Sequence, residues 1–240
     1  MRKEKLEELN DYIKELQTIT KERKKEEFIY QGTEPVQRRG FINVESYNCK
    51  LQNGIIILRE KIVKGASNGN AVIIFPVTKE GNTLLVVQPR VFTKETVCVE
   101  LPAGYMEEGE SPETAGRREL EEETGYVPEK IELLASYYQD QGCSAAYNYS
   151  MLALNCKKVK EQNLDKDEVI HYFECSFDEA VELVERGYIT DIQSQFTIEK
   201  AKSYVYQKIK KVTWILLKKK KIWYTIKKEW YKWKNTDLLE

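Results

Sequence analysis

Leu6, Leu9, Ile13 and Leu16 recur at the three- and four-residue spacing of one helix face, Lys and Glu fill the positions between, and the pattern predicts a helix over 1–27. Gly32, Pro35 and Gly40 break that pattern, and the period then shortens to that of strands. FINVESYNCKL and IIILREKIV flank Asn53-Gly54, a dipeptide suited to a tight hairpin turn because both residues tolerate positive φ. NAVIIFPV and TLLVVQPR repeat the arrangement about Gly81-Asn82, and VCVEL adds a short strand before Pro102. A helix over Pro112 to Thr124 has its ends written in local chemistry: Ser111 as cap, Pro112 in the first turn where a missing N–H is harmless, and Gly125 as left-handed stop. Apolar runs at Ile131 to Tyr138 and Tyr149 to Leu154, then VIHYFEC, read as further strands. Ser176 with Glu179, closing at Gly187, and Thr190 with Gln193 are two more capping boxes, the second opening a helix that leads into the tail. The elements describe a mixed α/β core with a helical extension at each end and no internal repeat.

Composition narrows the class. With 41% hydrophobic and 32% charged residues in 240, the chain suits one soluble folded domain with appended helices. No stretch approaches the ~18 to 20 apolar residues of a spanning helix, and MRKEKLEELNDYIKELQ lacks the apolar core of a secretion signal, so the expected location is cytoplasmic. Cys49, Cys98, Cys143, Cys156 and Cys175 are scattered and never spaced as C-x-x-C, which argues against disulfide frameworks and zinc knuckles. His171 is the only histidine and reads as structural, which disfavours triad and zinc mechanisms.

Charge is uneven. From Lys202 onward twelve lysines meet only Glu229, Asp237 and Glu240, a surplus of +9 that leaves 26 basic and 36 acidic residues, −10, to the rest. All four tryptophans lie in that tail, and Ile222, Trp223, Ile226, Trp230 and Trp233 fall at helical spacing among lysines. A membrane surface, a nucleic acid or an acidic partner are open to such a tail; packing within the molecule or a dimer is the favoured reading.

The candidate chemistry lies on the acidic helix. Glu119, Glu122 and Glu123 stand at i, i+3 and i+4, which brings three like charges onto one face. Either they splay into water, the ordinary fate of a Glu-rich surface, or they share a hard cation such as Mg²⁺ or Mn²⁺, which takes oxygen ligands and brings phosphate with it. The surrounding residues favour the second. Gly104, Glu110, Arg118-Glu119-Leu120, Glu122-Glu123, Gly125 and Tyr126 fit G-x5-E-x7-R-E-U-x-E-E-x-G-U over 23 residues, with Tyr126 at an aliphatic position. On residue frequencies of a few per cent, agreement at seven fixed positions by chance has a probability on the order of 10⁻⁷.

This segment resembles the Nudix box. The resemblance implies an α/β/α sandwich of the Nudix type, here with an N-terminal β-region and helical extensions at both ends. It implies divalent metal, Mg²⁺ or Mn²⁺, bound by Glu119, Glu122 and Glu123 with the carbonyl of Ala103, and Arg118 holding a Glu in place by a charge-assisted bond. Gly104 would allow the backbone turn, Glu110 would orient the loop, and Gly125 would end the helix. Glu122 or Glu123 could also serve in catalysis.

ELPAGYMEEGE after VVQPR is similar to the ADP-ribose pyrophosphatase branch of the family, which implies substrate contacts from Gln88, Arg90 and Glu100. The similarity spans about Phe41 to Ala201, and implies N-terminal strands that exchange between subunits of a homodimer. In YYQDQGCSAAYNY the chain departs from the branch: aligned at Gly142, the general-base Glu of S-P-G-x-x-x-E falls on Ala146, with Asp140 the nearest carboxylate. The expected organisation is an N-terminal extension over 1–40, a hydrolase domain over 41–203 whose residues 41–66 exchange, and a tail over 204–240.

Two functions compete at this stage. One is divalent-metal-dependent hydrolysis of the pyrophosphate in a small-molecule nucleoside diphosphate derivative, ADP-ribose or a nucleotide sugar. The other is a non-catalytic nucleotide-sensing or scaffolding module that binds a nucleic acid or protein through its tail. Tyr137, Tyr138, Tyr147 and Tyr149 read as packing, with a base-stacking face as the alternative; Phe28 and Tyr30 carry similar odds.

Overall fold

The computed structural model describes residues 3–27, 41–65, 68–166 and 168–205. The chain divides into two units, Met1–Lys200 and Ala201–Glu240, the second described only over 201–205. Phe28, Tyr30 and the aromatic tail lie outside the described residues.

Three sheets carry the first unit. The hairpin β1 (Ile42–Lys50) and β2 (Ile56–Lys64) pairs antiparallel in continuous register about Asn53-Gly54, with Gly54 at φ 87°. A three-stranded sheet is ordered β10–β4–β5, from His171–Cys175, Thr83–Pro89 and Val97–Glu100. The largest sheet runs β6–β3–β9–β7, from Ala103–Tyr105, Ala71–Thr78, Tyr147–Lys158 and Tyr126–Val127, with β8 (Lys130–Tyr138) also on β9. Strands β3 and β9 pair in parallel, and both are almost continuously buried, which is why AVIIFPVT reads as an apolar run instead of an alternation.

Two helices sandwich this sheet. From one face of β9, Met151 and Ala153 join Val72, Ile74, Ala115 and Leu120 in the core beneath α2 (Pro112–Thr124). From the other face, Asn148 and Ser150 bond Gln193 and Thr197 of α4 (192–205). α1 (Lys3–Glu27) packs on β4 and β5 with Leu9 and Leu16 fully buried, its Tyr12 stacked on His171 at 5.2 Å; α3 (Phe177–Glu185) packs on β4. This is the α/β/α sandwich that the sequence implied.

Local chemistry sets the ends of α2. The Ser111 hydroxyl accepts from the Thr114 N–H at 3.2 Å, and Gly125 is left-handed at φ 75°. Ser176 and Glu179 close their capping box on α3. At α4 the cap is Asp191 and not Thr190: its carboxylate accepts from the Ser194 N–H at 2.7 Å and its carbonyl from Gln195. Strands β6 and β7 are too short to show a period, and the apolar pattern gave no sign of them. All five cysteines are free. No described helix is long and apolar enough to cross a membrane.

Candidate active site

A cleft of about 540 Å³ opens where α2, β6, β4 and β5 meet the chain ends of β8 and β9, and each of its walls comes from a different element. Gly104 brings β6 against α2: a methyl group built there would collide with the Glu119 carboxylate and push it aside, so glycine leaves that carboxylate its place. Gly125 does the same at the far end of α2, where a methyl group would meet the Lys160 carbonyl.

On α2 one guanidinium organises the acidic cluster. Arg118 donates to both oxygens of Glu110 (3.0 and 2.9 Å), to Glu119 (2.7 Å), to Glu122 (3.2 Å) and to the Tyr105 carbonyl (3.0 Å). Glu110 in turn accepts from the Glu107 N–H and so closes the loop before the helix. Arg118 holds the Glu110 carboxyl below the usual carboxylate range.

Glu119 and Glu123 are held in the opposite sense. Burial pushes the Glu119 carboxyl up to about 7, against the Arg118 charge that lowers it, and Glu122 and Glu168 add like-charge repulsion. Glu123 is buried, accepts from the Ala103 N–H at 3.1 Å, and is pushed well up by that burial, then by Glu119, Glu168 and Glu100. Two carboxylates are therefore desolvated with too little positive charge nearby, on a wall of oxygen donors that includes Ala103. That donor set fits a hard divalent cation. Among the described residues no three such side chains already converge on one ion-sized point; Arg118 occupies Glu119 and Glu122, in the place a cation would share with them.

Arg90 and Glu100 line the same cleft on β4 and β5. The guanidinium meets the buried carboxylate through two bonds, 2.8 and 2.6 Å, and Gln88 donates to it at 3.1 Å. The turn 91–96 is closed by the Arg90 N–H on the Thr96 carbonyl, with Thr96 at φ 63°.

Other sequence candidates fall elsewhere. Ala146 is fully buried, and Asp140 spends its carboxylate on its own loop, accepting from the Gly142 N–H and the Cys143 thiol; neither lines the cleft. The four tyrosines pack edge-on: Tyr137 on Phe196, Tyr147 between Tyr138 and Tyr149. Tyr105 is the only aromatic residue lining the cleft among those described.

Sequence reasoning missed the strap after β9. Asn163, Asp165 and Glu168 line the cleft there, and the charge of Glu168 is felt by both Glu119 and Glu123. The strap is tied to the end of α2 by the Gln162 amide, which bridges the Glu123 and Ile170 carbonyls, and by Asn163 N–H on the Glu122 carbonyl. DKDE in the sequence signals only charge; nothing in it gives these contacts. Gln193, also on the wall, is marked in the sequence only as part of a capping box, and Gln139 carries no motif.

The profile of the NUDIX domain matches residues 67–214, and the chain belongs to the Nudix family, whose hydrolases act on small nucleotide derivatives with divalent metal. Among individual proteins, it is 36% identical over 153 residues to the ADP-ribose pyrophosphatase of Bacillus subtilis, covering 63% of this chain and 80% of that one. It is 31% identical to the methanol dehydrogenase activator of Bacillus methanolicus, covering 70% of this chain and 88% of the other. A solved structure described as an ADP compounds hydrolase shares the fold, with TM-score 0.63 at 19% identity over 74% of this chain and 94% of its own.

Proposed function

We propose that the cleft binds a nucleoside diphosphate bearing a second group, ADP-ribose or a nucleotide sugar, and hydrolyses its pyrophosphate bond. The observation that carries this reading is the pair Glu119, partly buried, and Glu123, buried, short of positive charge on the wall of the cleft. Likeness to a pyrophosphatase that acts on ADP-ribose supports the same substrate class. Glu119, Glu122, Glu123 and the Ala103 carbonyl would hold Mg²⁺ or Mn²⁺, which would neutralise phosphate charge and lower the pKa of water.

The chain's own residues do the rest. Arg118 fixes Glu110 and the loop that leads from β6 into α2, and keeps Glu119 and Glu122 turned to the cleft. Arg90, stiffened by Glu100 and Gln88, presents a fixed cation to the anionic substrate. Of the exposed wall carboxylates that Arg118 does not engage, Glu107, Asp165 and Glu168, we assign the proton of the attacking water to Glu168, whose charge is felt by both Glu119 and Glu123. This removes the difficulty raised by Ala146, and leaves the non-catalytic reading without an observation in its favour.

Residues 41–203 form the hydrolase domain in this reading, with 1–40 and 204–240 as its extensions. Hairpin β1–β2 exposes Ile42, Val44, Ile56 and Leu58, each more than half accessible. Such an apolar hairpin supports a homodimer built by exchange of residues 41–66; its expected location is the cytoplasm.

Phosphate products from a panel of nucleotide sugars and ADP-ribose, assayed with Mg²⁺ and Mn²⁺ for the wild type, Glu123→Gln and Glu168→Gln, test the reaction. Turnover in the wild type, its loss on chelation and a sharp fall in both variants are expected; no product from any substrate overturns the reading. Sedimentation at micromolar concentration tests the dimer.

A further inference from the structure

Away from the acidic cluster the cleft is lined by two amides, Gln139 and Gln193, beside Asp191, whose carboxylate caps α4. Gln193 lies in the first turn of α4, and its side-chain oxygen accepts from Asn148 Nδ2 at 2.6 Å. Asn148 is 1% exposed and sits in a buried polar group with Tyr137, Ser150 and Thr197, the last two bonded at 2.6 Å. Gln193 is the member of this group that reaches the cleft. Gln139, at the end of β8, repeats the arrangement: its side-chain oxygen accepts from Lys64 Nζ at 3.2 Å. Lysine can only donate, so the oxygen of Gln139 is the atom it meets.

Both amide oxygens accept a bond from a residue that does not line the cleft, which leaves each NH₂ group available to a ligand there. A wall of fixed neutral donors suits acceptor oxygens on an uncharged polar group. It does not suit a flat base, which asks for an aromatic face; the one aromatic residue lining the described cleft, Tyr105, is on β6. Holding an amide in one orientation through a buried partner lowers the entropy lost when it bonds a ligand.

We propose that Gln193, oriented by Asn148 and assisted by Gln139, is the specificity-determining residue for the group carried beyond the diphosphate, and that it selects a polyhydroxylated sugar by donating to its hydroxyl oxygens. The inference rests on the reading of the cleft as a nucleoside diphosphate site. It separates the work of the two walls: carboxylates hold the diphosphate through their cation, amides read what hangs from it. Asn148 is a positioning residue, acting through Gln193.

Binding, measured by calorimetry in Mg²⁺ with two non-hydrolysable probes, tests this directly. The α,β-methylene analogue of ADP-ribose carries the terminal sugar, and α,β-methylene-ADP lacks it. Wild-type protein binds the sugar-bearing probe more tightly. In Gln193→Leu its affinity falls about threefold to tenfold, the scale of one hydrogen bond, while the ADP analogue is unaffected. Gln193→Glu, which keeps an oxygen for Asn148 but removes the donor, loses at least as much; a residue that merely packed against Asn148 would be replaced by Glu with little change. Gln139→Ala, on an exposed loop where folding is not at stake, loses less in the same direction.

An unchanged affinity in Gln193→Leu, or an equal loss for both probes, overturns the inference, as does wild-type protein that does not distinguish the probes. Turnover of ADP-ribose is followed in parallel, with KM raised and kcat kept in Gln193→Leu. Discrimination between the probes without any turnover would leave the sugar subsite standing and remove the hydrolase reading.

Discussion

Two arginine–glutamate clusters line one cleft, and their charges balance differently. At Arg90 one guanidinium meets one buried carboxylate through two bonds, and the third partner, Gln88, is neutral. At Arg118 one guanidinium is divided among Glu110, Glu119 and Glu122, while Glu123 is buried behind them on a single backbone N–H. The same two residue types therefore make a closed unit at one end and an open demand at the other. A closed pair keeps its shape whether or not anything is bound, which suits recognition. A cluster with surplus carboxylate is stable only in part until a cation arrives, which suits a metal-dependent step.

The contrast can be broken most sharply at Glu123. In Glu123→Gln, kcat with Mg²⁺ is expected to fall about 10²- to 10³-fold, the scale of losing one preorganised charge. The melting temperature in chelator should hold or rise, because a buried and poorly compensated carboxylate has been removed. Retained activity with lost stability would reverse the assignment of the two clusters. Gly104→Ala comes next: the added methyl group meets the flexible end of Glu119, so the fold survives while the carboxylate is pushed aside. Activity should fall about tenfold to a hundredfold, as for groups that orient metal ligands, and thermal unfolding should change little.

At the balanced end the order of effects inverts. Arg90→Ala strands Glu100, whose side chain is 8% exposed, and should cost about 1–3 kcal/mol in urea unfolding. Adding Glu100→Gln to that variant should restore part of the loss, whereas the acidic cluster has no such compensating pair. The gentlest test is pH. Glu119 is pushed up to about 7 from 4.5, so the folded metal-free protein holds its proton over a range where the unfolded chain has released it. Its contribution to stability is full below about 4.5 and is lost as pH rises to about 7, and Mg²⁺ should flatten that slope. Thermal melts from pH 4.5 to 8, with chelator and with Mg²⁺, read it directly.

Much of this contrast was legible in the sequence, though unequally. The acidic cluster announces itself because a helix turns residue spacing into spatial proximity: Glu119, Glu122 and Glu123 must share a region, and Ser111 and Gly125 fix where that helix begins and ends. The β1–β2 hairpin was legible for a similar reason, since Asn53-Gly54 marks its turn; Gly81-Asn82 also marks a turn, but the hairpin expected there does not form, because β3 and β4 pair into different sheets. Glu168 was not, because its place depends on the Gln162 bridge to the Glu123 carbonyl, 39 residues away in sequence. Gln193 was read only as a cap residue; its role on the wall depends on Asn148, 45 residues earlier. The Asp191 cap was missed because Thr190 satisfied the same rule one position earlier, and only the backbone path decides between them. Tertiary contacts between polar residues leave no period behind them.

The parallel pairing of β3 with β9 has a consequence in time. Parallel neighbours require a crossover, and here the crossover includes β4, β5, β6 and α2, so the entire box lies inside a loop closed by the Ala71–Asn148 register. Closing a long loop precedes the contacts that repay it. If that closure comes before Glu119 and Glu123 are desolvated, the repulsion between them weighs on the native state more than on the route to it. Divalent ions should accordingly slow unfolding and leave the refolding rate unchanged: the cluster acts as a latch on a finished structure, with no part in nucleating it.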